Sequence, residues 1–400
     1  MAQKLLVAMS GGVDSSLAAV LLREAGHEVI GATMKTFCYT GTPSHPRTCC
    51  GMEGIMDARA VAKRLDIPHH IFDVEEDFTR DVIDDFVSEY AEGRTPNPCV
   101  RCNSKTKFGD LLRRAGELGC DGIATGHYVR SGRDPEGRHA LFRGRDRRKD
   151  QAYFLWELPA EALPLLHFPL GDLEKAEVRS RARDIELATA DKPESQEICF
   201  VPTGDYRDLL KRRLTPRHPA LEPGPIVDLD GRMLGEHDGY AGFTVGQRKG
   251  LGGGFSEPHF VVEVRPATRE VVVGPRAALS RDLVELHDLN WLSSAPSVGE
   301  EVELQIRHGA PPARARVEGP GTFAADASRA LNSGAPRPTT LALRFDDPQF
   351  AITPGQSCAV FVGDRLLGGG RIVRSGTAAE DRGACVSGGY RSGSESASSA

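Results

Sequence analysis

Two groups of residues in this 400-residue chain carry chemistry. The first is Ser10-Gly11-Gly12-Val13-Asp14-Ser15, set between an apolar run and a segment of helical spacing. Glycines there let the backbone turn tightly and aim N–H groups at an anion. The start of the following helix adds positive potential. Ser10 and Ser15 are placed to donate to phosphate oxygens. Asp14 is out of place beside an anion unless it holds Mg²⁺. The bland reading is a glycine-rich turn, but the full hexapeptide between strand and helix favours a nucleotide-binding loop. The chain contains no Gly-x-x-x-x-Gly-Lys-Ser/Thr segment, which excludes a Walker-type ATPase.

The second group is made of thiols. Thr95-Pro96-Asn97-Pro98-Cys99-Val100-Arg101-Cys102-Asn103 places two cysteines three apart in a Pro-rich loop ahead of a helix. Cys199 lies far away in Ser195-Gln196-Glu197-Ile198-Cys199-Phe200. A thiol close to a helix start and to cations carries more thiolate. Cys102 meets both conditions, with Arg101, Lys105 and Lys107 nearby. Cys120 and Cys358 read instead as small buried hydrophobes. Cys38, Cys49 and Cys50 with His45 make a further group. It reads as a plain loop rather than a zinc site, because adjacent cysteines make poor tetrahedral spacing.

The hexapeptide resembles the SGGxDS loop of PP-loop ATP pyrophosphatases, which cleave ATP to AMP and pyrophosphate. With the thiols added, the chain resembles the bacterial tRNA-specific 2-thiouridylases from Lys4 to about Val373. The resemblance rests on Ser10–Ser15, Gly93–Asn103, Ala124-Thr125-Gly126-His127-Tyr128, Lys149–Leu155, Glu197–Phe200 and Phe243–Gly252. It implies ATP-dependent 2-thiolation of the wobble uridine of tRNA. Adenylation makes the uracil O2 a leaving group, and a cysteine persulfide supplies sulfur. The loop N–H groups and Mg²⁺ would stabilise the departing pyrophosphate. The target base must leave the anticodon stack to react.

By position, the resemblance implies that Ala8, Met9, Ser10, Gly11, Gly12, Val13, Asp14, Ser15 and Met34 line the ATP site, with Gly126 near the nucleotide. Cys199 would carry the persulfide, loaded by a cysteine desulfurase or a sulfur-relay protein. Cys102 would be the second catalytic thiol, forming a transient disulfide with Cys199. Asn97, Pro98 and Cys99 would touch the target base. His127, Lys149, Asp150, Gln151, Arg307, His308 and Gln356 would contact tRNA, through its anticodon arm.

One position departs from the family, many of whose members have Asp where this chain has Cys99. Two readings stay open. In one, Cys99 lines the base pocket and the role passes to water or another residue. In the other, Cys99, Cys102 and Cys199 hold a [4Fe–4S] cluster with one open iron that delivers sulfide. Outside this chemistry stand an amidating or ligating synthetase built on the same loop, and an RNA-binding scaffold without activity. The intact Asp14 and Cys199 argue against the scaffold.

These residues need elements to position them. Lys4–Ala8, His27–Met34, His70–Val74 and Gly122–Thr125 read as strands. Val13 to Ala25, Glu53–Leu65, Phe78–Tyr90 and Lys107–Leu118 read as helices. Alternation of this kind predicts an α/β domain with a parallel sheet over residues 1–205, ligands lying at the carboxyl ends of its strands. Beyond it, short β-runs at Pro225–Asp228, Phe260–Val264, Glu270–Val273, Glu301–Ile306, Leu341–Phe345 and Cys358–Val362 predict two small β-barrel-like domains, 206–282 and 283–375. Residues 376–400, rich in Gly, Ser and Ala, are expected to be disordered.

Composition sets outer bounds. A hydrophobic share of 40% supports a real core, and 6% aromatics argues against a base-stacking single-strand binder. No apolar run is long enough to span a bilayer, so the chain is expected to be cytoplasmic, and a monomer is favoured. Its net charge of −6 leaves room only for local basic patches. Three are expected to face tRNA: Arg143, Arg145, Arg147, Arg148 and Lys149; Arg179, Arg181 and Arg183; and Arg207, Lys211, Arg212, Arg213 and Arg217. Gly246–Gly254 is expected to be a flexible loop at the interface.

Overall fold

A computed structural model describes residues 2–36, 52–194, 198–201, 204–252, 257–321 and 340–377. The first strands are β1 (Lys4–Ala8), β2 (Glu28–Lys35), β3 (His69–Asp73) and β4 (Gly122–Ala124). A hairpin follows, β5 (Val129–Arg133) and β6 (His139–Arg143), and then β7 (Leu166–His167). The first sheet is parallel, in the order β3-β2-β1-β4-β7. Side chains alternate across it. Leu5 and Val7 face α1 (Val13–Glu24) and α2 (Met52–Arg64), whereas Leu6, Ile30 and Ala32 face Phe108 and Leu111.

Two helices differ from the sequence reading. Residues 75–91 are helical with a π-turn at Thr79–Ile83. The helix expected to start at Lys107 starts at Pro98 and runs to Glu117. Its start is set by Pro98 in the first turn and by Asn97, whose side chain accepts the Cys99 N–H at 3.2 Å. Cys99 and Cys102 therefore lie on the helix and not in a loop before it.

The second half is all β apart from a helix at Tyr206–Arg213 and short 3₁₀ turns. Strands β8 (Gly224–Val227), β9 (Met233–His237), β10 (His259–Arg265) and β11 (Glu270–Pro275) form one sheet in the order β10-β11-β8-β9. Strands β12 (Ser280–Trp291), β13 (Glu301–Gln305), β14 (Ala313–Pro320), β15 (Leu341–Phe350), β16 (Ser357–Val362) and β17 (Arg365–Gly376) form a barrel, closed by the pairing of β12 with β17.

The β5–β6 hairpin leaves its own domain and extends the barrel sheet along β17. Trp156 and Tyr153 share a core with Ala359, Phe361 and Leu366 of the barrel. A glycine triplet allows this contact. A Cβ at Gly369 would sit 3.0 Å from the Trp156 ring and 2.3 Å from the Cys358 carbonyl oxygen.

The group at Cys38, His45, Cys49 and Cys50 lies outside the described residues, as do 253 and 254 of the Gly246–Gly254 loop and 378–400 of the tail. The strand β17 runs to Gly376, the first residue of the segment expected to be disordered. No helix among the described residues is long and apolar enough to cross a membrane.

Candidate active site

The glycine loop follows β1 at the carboxyl edge of the parallel sheet. Gly12 caps α1 in an extended conformation without a side-chain bond, so first-turn N–H groups remain for an anion. Gly11 has φ +74° and lies so close to α2 that a Cβ would fall 2.2 Å from the Gly54 carbonyl oxygen. Gly126, after β4, packs equally tightly. A Cβ there would stand 2.7 Å from both Asp14 C and Ser15 N. Ser15 Oγ accepts the Ser10 N–H at 3.1 Å and donates to the Gly12 carbonyl at 3.2 Å, so this hydroxyl braces the loop. Met9 is buried and Met34 half-buried at the neighbouring strand ends.

The structure supplies what the sequence left unexplained about Asp14. Both of its carboxylate oxygens lie 2.7 Å from Lys175 Nζ, and the Tyr128 hydroxyl donates to one of them at 2.7 Å. Lys175 also pairs with Glu194 at 2.8 Å, and Lys149 reaches the same carboxylate at 2.6 Å. Burial pushes the Glu194 carboxyl up, but bonds from Lys149 and Lys175 outweigh it and hold the group down at about 2. Lys175 and Glu194 carry no signal in their local sequence, whereas Tyr128 ends the Ala124–Tyr128 motif without a role being read for it.

The thiols lie along another edge. Cys99 is exposed, in the first helical turn behind the Asn97 cap. Cys102 opens a π-helical segment, Cys102–Asp110, a distortion frequent at functional sites. Cys102 and Cys199 are partly buried and pack against one hydrophobic cluster, with Ile198, around Phe78, Phe86 and Phe200. Residues 97 apart in sequence thus pack against one cluster. Among the described residues no three His, Cys, Asp or Glu side chains converge as metal ligands. Cys99, Cys102 and Cys199, the [4Fe–4S] ligands of the second open reading, do not form such a group: Cys99 is exposed and the other two border the hydrophobic cluster. Cys358 is buried, as expected, and burial pushes its thiol up; Cys120 is partly buried against the core.

Several residues expected to touch tRNA are engaged inside the protein. His127 is buried between Phe108 and Phe168, with Thr125 Oγ1 2.8 Å from Nδ1. Burial, helped by Lys107, lowers its imidazole to about 3, which keeps it neutral. Asp150 accepts the Gly144 N–H and pairs with Arg143 at 2.9 Å. Gln151 Oε1 accepts the Tyr128 N–H at 3.0 Å. Gln356 donates to the Thr95 and Pro96 carbonyls at 2.8 and 3.2 Å and so holds the loop that leads to Asn97. Arg307 and His308 are exposed, with the His308 ring centred 4.6 Å from that of Phe154 and tilted 33° to it.

The basic patches shrink for the same reason. Arg143 is buried over the Phe361 ring. Arg145, Arg147, Arg183, Arg207 and Arg213 have carboxylate partners, and Arg179 binds backbone carbonyls. Arg148, Arg181, Lys211, Arg212 and Arg217 remain exposed with no ion pair among the described residues.

Comparison with known proteins matches this arrangement over nearly the whole chain. Residues 3–203 match the family described as tRNA methyl transferase HUP domain, 207–275 the tRNA methyl transferase PRC-barrel domain, and 335–372 the aminomethyltransferase beta-barrel domain. The tRNA-specific 2-thiouridylase MnmA of Thermus thermophilus is 48% identical over 383 residues, covering 93% of this chain and 95% of that one. The protein of the same name from Carboxydothermus hydrogenoformans is 46% identical, covering 93% and 98%. That from Rhodospirillum centenum is 45% identical, covering 93% and 92%.

Proposed function

The chain belongs to the tRNA-specific 2-thiouridylase family, and we propose how its own residues divide the labour of that reaction. It is a tRNA sulfurtransferase of the ATP-using PP-loop type. On our reading the loop from Ala8 to Ser15, with Met34 and Gly126, receives ATP. Its first-turn N–H groups hold phosphate, and Mg²⁺ arrives as the counter-ion of the nucleotide. Adenylation of the uracil O2 releases pyrophosphate. The terminal sulfur of a Cys199 persulfide attacks C2, and AMP departs with the former O2. The Cys102 thiolate then attacks the Cys199 sulfur, releasing the thiouridine and leaving a Cys102–Cys199 disulfide. An external thiol reduces that disulfide before the next turnover.

The observation that carries this reading is the packing of Cys102 and Cys199 against one cluster, on the domain that holds the nucleotide loop. Asn97, Pro98 and Cys99, one turn ahead of Cys102, are placed to meet the base. Cys99 is then a lining residue in the position of the family's Asp. We further propose divisions near residues 205 and 282, a monomer in the cytoplasm, and a persulfide-bearing protein as sulfur donor. The test is to incubate the protein with tRNA, ATP, Mg²⁺ and a persulfide donor, then follow 2-thiouridine by mercury-gel retardation. We expect retarded tRNA that Cys199→Ser abolishes. AMP formation dependent on an amine, without thiolated tRNA, would overturn the reading.

A further inference from the structure

The segment from Arg94 to Cys102 is held from outside its own domain, by one patch of the C-terminal barrel. Arg94 makes a two-pronged bond to Glu89, at 2.8 and 2.7 Å. Arg101, next to Cys102, lies 3.6 Å from Asp85 and 2.5 Å from Glu157. Asp85 and Glu89 stand one helical turn apart, and both face Arg371 of β17. Its guanidinium lies 2.9 Å from both Asp85 oxygens and 3.3 Å from Glu89. Arg371 is 8% exposed and Glu89 7%, so their contact is shielded from water, while Asp85 is partly buried.

The neighbours of Arg371 grip the same segment. Ser357 is its cross-strand partner, and the Ser357 carbonyl accepts the Tyr153 hydroxyl at 3.0 Å. The Asn97 amide donates to that hydroxyl at 3.5 Å. Gln356, bonded through its carbonyl to the Ile372 N–H, holds Thr95 and Pro96, and the Pro354 carbonyl accepts the Thr95 N–H at 2.9 Å.

We propose that Arg371 is a positioning residue for sulfur transfer: through Asp85 and Glu89 it fixes both ends of the Arg94–Cys102 segment, and so the place of Asn97 and Cys102 relative to Cys199. A forked guanidinium suits this task because it reaches two carboxylates in fixed directions, which an ammonium does not. The inference rests on the thiol reading above.

Arg371→Lys keeps the charge and loses the fork. We expect tRNA and ATP affinities within two-fold of the parent, and single-turnover thiolation slowed about ten-fold, because small misplacements of a reacting group are expensive in rate. Formation of the Cys102–Cys199 disulfide should slow in parallel. Should Arg371→Lys fail to fold, Glu89→Gln, which weakens the arm from Arg371 through Glu89 to Arg94 and leaves the Asp85 arm in place, carries the same expectation. A folded variant that thiolates within two-fold of the parent, or loses rate only through weaker tRNA binding, overturns the proposal. A parent protein that thiolates no tRNA would instead overturn the functional reading.

Discussion

The nucleotide cradle and the thiol segment are built in opposite ways. The cradle is short-range: six consecutive residues brace one another, with Ser10 and Ser15 only five apart. Gly54 and Gly126, far off in sequence, leave room for it, and the long-range bonds, from Tyr128 and Lys175, reach the Asp14 carboxylate and not the loop backbone. The thiol segment is held by Gln356, 261 residues from Thr95, and, through Asp85 and Glu89, by Arg371, 286 residues from Asp85. An anion cradle needs only backbone N–H groups in one conformation, which glycines specify locally. Two thiols that must meet each other and a base need a fixed distance between separate elements, and that takes tertiary packing.

The largest effect should come from filling the cradle. Gly126→Val pushes side-chain carbons into the Asp14–Ser15 backbone, and overpacking of this kind costs about 1–3 kcal/mol. Isothermal titration should show ATP affinity reduced about a hundred-fold, while alkylation of Cys102 proceeds at the parent rate. Equal loss of both would mean that the two regions are not separable.

Arg143→Met comes next. It leaves the Asp150 carboxylate buried and unpaired, and should lower stability by about 3 kcal/mol in a denaturant titration. The salt dependence of tRNA binding should stay as it was. Arg148→Ala should do the reverse, keeping stability and reducing the salt slope by about one. Exchange of these two outcomes would restore Arg143 to the RNA face.

Acid should attack the cradle side in two steps. The unfolded chain protonates His127 near 6.5 whereas the folded one resists to about 3, so stability falls as pH drops below 6.5. Glu194, at about 2 when folded against 4.5, adds a second loss as pH falls below 4.5. The melting temperature measured against pH should flatten in the upper window for His127→Gln and in the lower one for Glu194→Gln. The smallest effect belongs to Asn97→Ala, which removes a helix cap worth about 1 kcal/mol. It should lower the melting temperature slightly and loosen the first turn carrying Cys99, seen as faster amide exchange there.

The same contrast explains what could be read from sequence. The parallel sheet and the glycine loop follow local patterns and were legible, and Cys99, Cys102 and Cys199 stand out in the sequence as candidates. The start of the helix at Pro98 was legible in principle, from an Asn-Pro cap, yet was set nine residues late because Lys107–Leu118 carries the clearer periodicity. Lys175, Glu194, Asp85 and Arg371 look like ordinary surface charges until folding buries them against one another. Within the basic run at 143–149, Arg143 differs from its expected exposure for the converse reason. Periodicity cannot tell a solvated arginine from one stacked on Phe361 and paired with Asp150.

The central claim is that Cys199 delivers sulfur and Cys102 resolves it. It is tested most directly by loading the protein with persulfide, removing the donor, and mixing it with ATP, Mg²⁺ and tRNA without reductant. Mass spectrometry should find one 2-thiouridine formed for each new Cys102–Cys199 disulfide. Full thiolation by Cys199→Ser protein under these conditions, or thiouridine formed while both thiols stay reduced, would contradict it.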